Sequence, residues 1–315
     1  MFSKHHISIP ETLRGFVRKI WVLDPSDGGG RGVALGGEGV NGAEGAGGGG
    51  FTGGGGFSVY ADGCPGIIFQ QAAGGLLLNQ DKKLSPTFLY GQTVQPVRMD
   101  AEGPLKMIVV NFQPHVVHSI FRFSAKEVTD DCLDLSLLPA VPRVNLTEQL
   151  WNTVSVEQQV KILFDYMQQV IVRNRSTVDA GMAYATSQLL RLHGGLRVNG
   201  EELRLHGESR VEGESRLKEL QRELNLTERT FERRFEQYIG VSPRVFSKIS
   251  QFQAALTQLR SGRFQRLSDI AYEHGYADQS HFIRSFKKFT GVAPLEFRRQ
   301  VSGEEGDFPG TQGFY

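Results

Sequence analysis

Apolar positions in this 315-residue chain change their period along its length. Between Phe16 and Phe112 they come in short or alternating runs broken by Gly and Pro: Phe16 to Leu23, Phe57 to Tyr60, Gly66 to Phe69, Leu76 to Leu78, Thr87 to Tyr90 and Leu105 to Phe112. Side chains on a strand alternate between two faces, so these runs predict a mostly β region folded as a barrel or sandwich. Beyond it Val156, Val160, Leu163, Met167 and Val170 recur at steps of three and four, which predicts a helix with one apolar face. A further helix is predicted from Val178 to Leu192. The apolar face of the first suits either packing on its own β region or a seam between two copies of the chain.

The last third carries an internal repeat at an offset of 51. Thr227 matches Asp278, Phe231 matches Phe282, Arg233 matches Arg284 and Phe235 matches Phe286; then Gly240 matches Gly291, Val241 matches Val292 and Pro243 matches Pro294. Thr and Asp start helices by accepting a hydrogen bond from an unpaired amide. Phe residues four apart share one helix face, and Gly ends the helix. Upstream, short helices end in Leu220 to Leu224 and Ile270 to His274, followed by Asn225 and Gly275, residue types that tolerate the left-handed backbone of a sharp turn. Helix, tight turn, helix therefore occurs twice. Between the copies, Ser242 caps and Pro243 opens a helix whose Val245, Ile249, Phe252, Leu256 and Leu259 form an apolar stripe. At ~1.5 Å per residue, its ~18 residues span ~27 Å, close to the ~34 Å turn of B-DNA.

Charge sharpens this picture. Residues 216–300 hold 16 Lys and Arg against 9 Asp and Glu, a balance of +7 that leaves −6 on the rest of the chain. A basic block of this kind suits a polyanion. Glycine is concentrated too: 17 of the 29 residues from Gly28 to Gly56 are Gly, which predicts a flexible insert, since Phe57 onward reads as a strand and no Gly-Lys-Ser/Thr follows to make a phosphate cradle. The stretch from His193 to Ser215 reads as a polar tether with one hairpin signal at Asn199-Gly200. Two cysteines, Cys64 and Cys132, exclude a disulfide scaffold and a Cys-rich zinc site. With no apolar run near ~18 residues and no export signal at Met1 to Leu13, the expectation is a cytoplasmic protein without membrane contact.

The run Ile270-Ala271, Gly275-Tyr276-Ala277-Asp278-Gln279-Ser280-His281-Phe282, Phe286-Lys287-Lys288-Phe289, Gly291-Val292-Ala293-Pro294 resembles the DNA-binding domain of the AraC/XylS family of bacterial transcription regulators. More loosely, Trp21, Tyr60 to Pro65, Gly91-Gln92 and Phe112-Gln113-Pro114 resemble the N-terminal sensor domain of a subset of them. The resemblance implies an α+β chain with a β-rich, cupin-like domain with flanking helices over 1–193 and an all-α double helix-turn-helix domain at 215–300; composition adds the flexible Gly-rich insert at 28–56, a linker at 194–214 and a flexible, polar, Gly-rich tail at 301–315. It implies double-stranded DNA as partner, contact with RNA polymerase, activation as the common sign of regulation, and a small-molecule effector or homodimerisation through the front domain. Two departures stand out. The family favours a small residue after the aliphatic of each first helix; Ala271 obeys and Gln221 does not. The insert after Pro25 is foreign to the family's barrel.

The Phe pairs set which face of each second helix is buried, so the residues just after each cap face outward. Arg229, Glu232 and Arg233 in the first copy, and Gln279, Ser280, His281 and Arg284 in the second, are the expected base readers. Arg suits a guanine edge, Gln an adenine and Glu a cytosine amine. Arg234, Arg244, Lys248, Lys287 and Lys288 are the expected phosphate contacts. No catalytic residue, metal or cofactor is expected. The competing readings are a metal-dependent cupin-type enzyme, which rests on His115 and His118 without a third ligand, an alkyl transferase, which needs a reactive thiol at Cys64 or Cys132, and a passive ligand binder.

Overall fold

A computed structural model describes residues 8–23, 33–35, 55–72, 74–139, 141–192, 197–198, 201–202 and 210–302. The front half is a two-layer β structure. One sheet has six antiparallel strands in the order β10 (Cys132–Asp134), β7 (Thr87–Tyr90), β4 (Gly66–Ala72), β9 (Leu105–Phe112), β1 (Val17–Leu23) and β2 (Val33–Leu35). The other has four, in the order β3 (Gly55–Val59), β8 (Val97–Ala101), β5 (Leu76–Leu78) and β6 (Lys82–Leu84). The alternation along the strands explains both layers. Trp21, Leu23, Ile68, Met107 and Val109 face the second sheet and pack on Phe57, Leu76, Leu78, Val97 and Met99. Their neighbours Ile20, Val22, Ile67, Phe69, Ile108 and Val110 point the other way, into a second core.

Helices cover that outer face: α1 (Val117–Phe121), α2 (Leu146–Trp151) and α3 (Val156–Arg173). The α3 stripe of Val160, Leu163, Met167 and Val170 is buried there, so it packs on its own sheet. Of the Gly-rich insert, Val33–Leu35 pairs with β1 and Gly55 and Gly56 begin β3; the remaining insert positions lie outside the described residues.

The C-terminal third is helical: α5 (Arg210–Glu223), α6 (Glu228–Ile239), α7 (Pro243–Ser261), α8 (Leu267–Glu273), α9 (Gln279–Thr290) and α10 (Pro294–Ser302). Two features differ from the expected boundaries. The tether contains two paired strands, β11 (Arg197–Val198) against β12 (Glu201–Glu202), and α5 starts at Arg210; the Asn199-Gly200 signal lies outside the described residues. In addition α4 (Ala180–Leu192), expected within the front domain, packs on the helical side. Its Met182, Ala185, Leu189 and Leu190 share a core with Leu217, Leu220, Phe231, Phe235, Ile239 and Phe246. The cause is that α5 and α6 alone leave one apolar face uncovered, and α4 supplies the complementary stripe. Arg216 of α5 fastens the pair, donating to Gln188 at 3.0 Å and pairing with Glu219 and Glu223 at 3.0 Å each. Among the described residues no helix is long and apolar enough to cross a membrane.

Candidate nucleic-acid interface

The two second helices, α6 and α9, have 12 residues each and are built alike. The Thr227 hydroxyl accepts from the Thr230 amide at 3.3 Å, and the Asp278 carboxylate accepts from the His281 amide at 2.6 Å. The turns before them bend at Asn225 (φ +52°) and Gly275 (φ +70°). Inward faces carry Phe231 and Phe235 in one copy and Phe282 and Phe286 in the other, all fully buried. Ser242 accepts from the Val245 amide at 3.3 Å to start α7, whose 19 residues run between the copies. Phe252 of α7 packs on Phe286 and Phe289 of α9 at ring separations of 5.4 and 4.9 Å, and Phe246 on Phe235 of α6 at 5.7 Å. The strut is thus locked to both copies by aromatic contacts. Gln221 lines a polar cavity of about 270 Å³ with Glu228, Phe231, Glu232 and Arg244, where the second copy has Ala271 buried.

The expected base readers occupy the first two turns of α6 and α9. Arg229, Arg233, Gln279, Ser280 and Arg284 are exposed, and Glu232 is half-buried. His281 is also half-buried; its Nδ1 accepts from the Ala277 amide at 3.2 Å, and its ring meets Tyr276 edge-on at 5.4 Å. Among the expected phosphate contacts, Lys248, Lys287, Lys288 and Arg244 are exposed, with Arg244 3.7 Å from Glu228. Arg234 departs from the expectation. It turns away from that face to pair with Asp179 at 2.5 Å and lies over the Tyr238 ring. Asp179 also accepts from the Met182 amide at 2.9 Å, capping α4. Burial alone would raise its carboxyl, but that amide and the Arg234 guanidinium outweigh it and hold it below the ordinary carboxylate range. The two helices differ in charge: α6 balances Arg229, Arg233 and Arg234 with Glu228, Glu232 and Glu236, whereas α9 carries Arg284, Lys287 and Lys288 and no acid.

The front half grips the C-terminal end of α6. Lys126 pairs with Glu236 at 2.8 Å, Thr129 Oγ1 donates to the Gly240 carbonyl at 2.8 Å, and the His118 ring stands 4.6 Å from that of Tyr238. On the other side, Gln253 of α7 donates through Nε2 to the Ala61 carbonyl. Ala61 is buried with the α7 to α10 core and Cys64 with the α4 to α6 core, so the segment 61–64 touches both copies. Neither grip covers the first turns of α6 and α9.

The competing sites look different. His115 is buried against Thr186, Nδ1 to Oγ1 at 3.3 Å, while His118 Nδ1 meets the Phe123 carbonyl at 2.7 Å, so the two imidazoles serve separate partners. Among the described residues no group of three or more His, Cys, Asp or Glu is placed to hold a metal. Burial pushes the Cys64 thiol up to about 11 and the Cys132 thiol to about 12, which keeps both protonated.

A different feature lies between the two sheets: a cavity of about 40 Å³, walled mainly by Trp21, Val59, Ile68, Leu78, Met99 and Val109. Its polar edge holds Asp62, Tyr90, Thr93, Asn111, Asp130 and Asp131. Trp21 Nε1 donates to Asn111 Oδ1 at 3.0 Å, and Asn111 Nδ2 donates to the Tyr90 hydroxyl at 2.8 Å. Sequence reasoning missed Asp62, Tyr90, Asp179 and Gln253. Only the Asp-x-x-Met spacing at 179–182, a capping pattern, carried a local signal.

Residues 220–300 match the model of a helix-turn-helix domain, and residues 54–134 that of a domain of unknown function, DUF6597. The chain is 31% identical over 86 residues to an uncharacterized HTH-type transcriptional regulator of Haemophilus influenzae, an alignment covering 27% of this chain and 28% of that protein. The chain thus spans little more than a quarter of the length of the curated relative it matches. Similar solved structures include ToxT from Vibrio cholerae, at 14% identity and TM-score 0.44 over 79% of this chain and 98% of that one. The C-terminal domain of AraT, a response regulator from Geobacillus stearothermophilus, aligns at 21% identity and TM-score 0.31 over 40% and 88%. From the capped repeat, the strut between its copies and the family match together, the C-terminal part of this chain is a helix-turn-helix domain of the AraC type.

Proposed function

We propose that the chain is a sequence-specific transcription regulator that sets α6 and α9 into successive major grooves on one side of a DNA duplex. The observation that carries this reading is the pair of exposed N-terminal halves, Arg229 with Arg233 and Gln279 with Arg284, held apart by a 19-residue helix locked to both. At ~1.5 Å per residue that strut is ~28 Å long, matched to the ~34 Å repeat of the groove. Arg229, Glu232 and Arg233 read bases in one half-site and Gln279, Ser280, His281 and Arg284 in the other, while Arg244, Lys248, Lys287 and Lys288 meet phosphates.

The front half is the regulatory part. Val59 and Asp62 line the inter-sheet cavity, and the next residues, Ala61 and Cys64, dock on the helices. A small effector in that cavity would therefore push on a segment touching both DNA-reading copies. Selection of bound duplexes from a random pool tests the reading: it should return two half-sites one helical turn apart. Inserting five base pairs between them should abolish tight binding, because a rigid strut does not follow a half-turn rotation. Equal binding of both spacings, or no enriched sequence, would overturn it.

A further inference from the structure

We propose that Asp130 is a positioning residue: it ties two segments of the front half into one wedge, and the wedge, seated against both helix-turn-helix copies, fixes how α6 and α9 stand relative to each other. What this means for DNA spacing rests on the reading above; the wedge itself stands on contacts within the chain. The strut α7 joins the copies by apolar packing, which is non-directional and lets packed helices slide by small amounts. A second connection is needed to fix their angle. Val94 is at its centre. Its side chain packs on the α4 to α6 core and also on the α7 to α10 core. The same two segments, 92–96 and 125–130, reach the C-terminal ends of both second helices. Thr129 Oγ1 donates to the Gly240 carbonyl at 2.8 Å, and Pro96 stands 3.6 Å from where a Cβ at Gly291 would lie.

Asp130 holds the two segments together. Its Oδ1 accepts from the amides of Val94 at 2.7 Å and Gln95 at 3.3 Å, and its own amide donates to the Gln92 carbonyl at 2.8 Å. Gln92 Nε2 in turn donates to the Gly63 carbonyl at 3.0 Å, which joins the wedge to the segment seated on the strut through Ala61 and Gln253. The backbone of Asp130 is left-handed, with φ +56°, a conformation that Asp and Asn tolerate better than other residues bearing a Cβ. The position therefore asks for two things at once: an acceptor one carbon from the backbone and tolerance of positive φ. Asn supplies both, whereas Gly supplies only the second. Comparing the two substitutions separates loss of the tie from strain in the chain.

The test uses the full chain, spin-labelled at Arg233→Cys and Arg284→Cys, exposed and equivalent positions of the repeat; Cys64 and Cys132 are buried and escape the label. Without DNA, pulsed dipolar spectroscopy should give one narrow distance between the labels. Asp130→Gly should broaden it about twofold or more, as should Val94→Ala, while Asp130→Asn should keep it narrow. Val94→Ala leaves the Asp130 hydrogen bonds in place and decides the matter where Asp130→Gly fails to fold. An unchanged width in the folded variants, or Asp130→Asn as broad as Asp130→Gly, would overturn the proposal. Duplex binding by the unlabelled chain tests the consequence. One base pair inserted between the half-sites moves the second groove by ~3.4 Å and ~34°, and should weaken binding about tenfold or more. Asp130→Gly should shrink that penalty to about threefold or less, and an undiminished penalty would overturn the link to spacing. Unbroadened distances with selective duplex binding intact sink the wedge alone; broadened distances in a chain that selects no duplex sink the regulatory reading alone.

Discussion

Arg233 and Arg234 are neighbours on α6 with opposite surroundings: one is exposed, the other is paired with a capping aspartate of α4. Their substitutions should separate cleanly. Arg234→Ala is expected to lower stability by about 1 kcal/mol in urea, since a partly exposed pair contributes modestly, and to leave the salt dependence of DNA binding unchanged. Lys287→Ala should do the reverse, keeping stability and reducing the slope of log K against log salt by about 0.9, the loss of one phosphate contact. Arg284→Ala should cost roughly 1–3 kcal/mol of binding and relax specificity at one base position, as measured by competition between duplexes at fixed salt. Residues whose surroundings are local were legible in the chain itself: Thr227, Asp278 and the Phe pairs act on neighbours within one turn. Arg234 and Gln253 were not, because their partners lie 55 and 192 positions away, nor was Asp62, whose surroundings are set by burial that only the folded chain creates.

Elements tell a similar story with different signals. The helices α6 and α9 end in Gly240 (φ +97°) and Gly291 (φ +80°), with different surroundings. A Cβ at Gly240 would stand 2.8 Å from Thr129 Oγ1 and 2.9 Å from the Ala125 carbonyl, whereas at Gly291 it would find Pro96 at 3.6 Å. Gly291→Ala is therefore expected to cost about 1 kcal/mol of backbone strain, and Gly240→Ala about 2 kcal/mol or more, in equilibrium unfolding.

The packing of α8 on α7 half-buries His274, whose Nε2 meets Gln258 Oε1 at 2.8 Å; desolvation lowers its pKa to about 4, as it does for His115. Unfolded, both take up a proton near 6.5. The unfolded state thus binds more protons in that window, and stability should fall as pH drops from about 6.5 towards 4. Asp62, protonated near 6 when folded against 3.8 unfolded, acts in the opposite direction. Denaturant titrations across this range should show a shallower decline in His274→Asn and a steeper one in Asp62→Asn. The long strands and all the repeat helices announced themselves by period. The short strands β2, β6 and β10 did not, since three residues carry too little alternation, while Val97–Ala101 alternates visibly and was overlooked.

At the scale of the molecule, the division between halves is not where composition changes. Because α4 completes the core of α5 and α6, a fragment of residues 178–302 should melt cooperatively, whereas 210–302 should melt at a lower temperature with a broader transition in circular dichroism. No local pattern marks that allegiance: an amphipathic helix shows that it has a buried face, not which neighbour buries it. The segment 59–64 carries the furthest consequence. One side is wall to the inter-sheet cavity, the other is seated on the strut and on both helix-turn-helix copies. In the regulator proposed above, occupancy at one side and pose at the other are coupled through this segment, so their free energies are linked and reciprocal. In that regulator, whatever factor a bound small molecule imposes on the hold on DNA, an operator duplex must impose on the hold on that molecule, so that the nucleic acid would act as an effector of the front half.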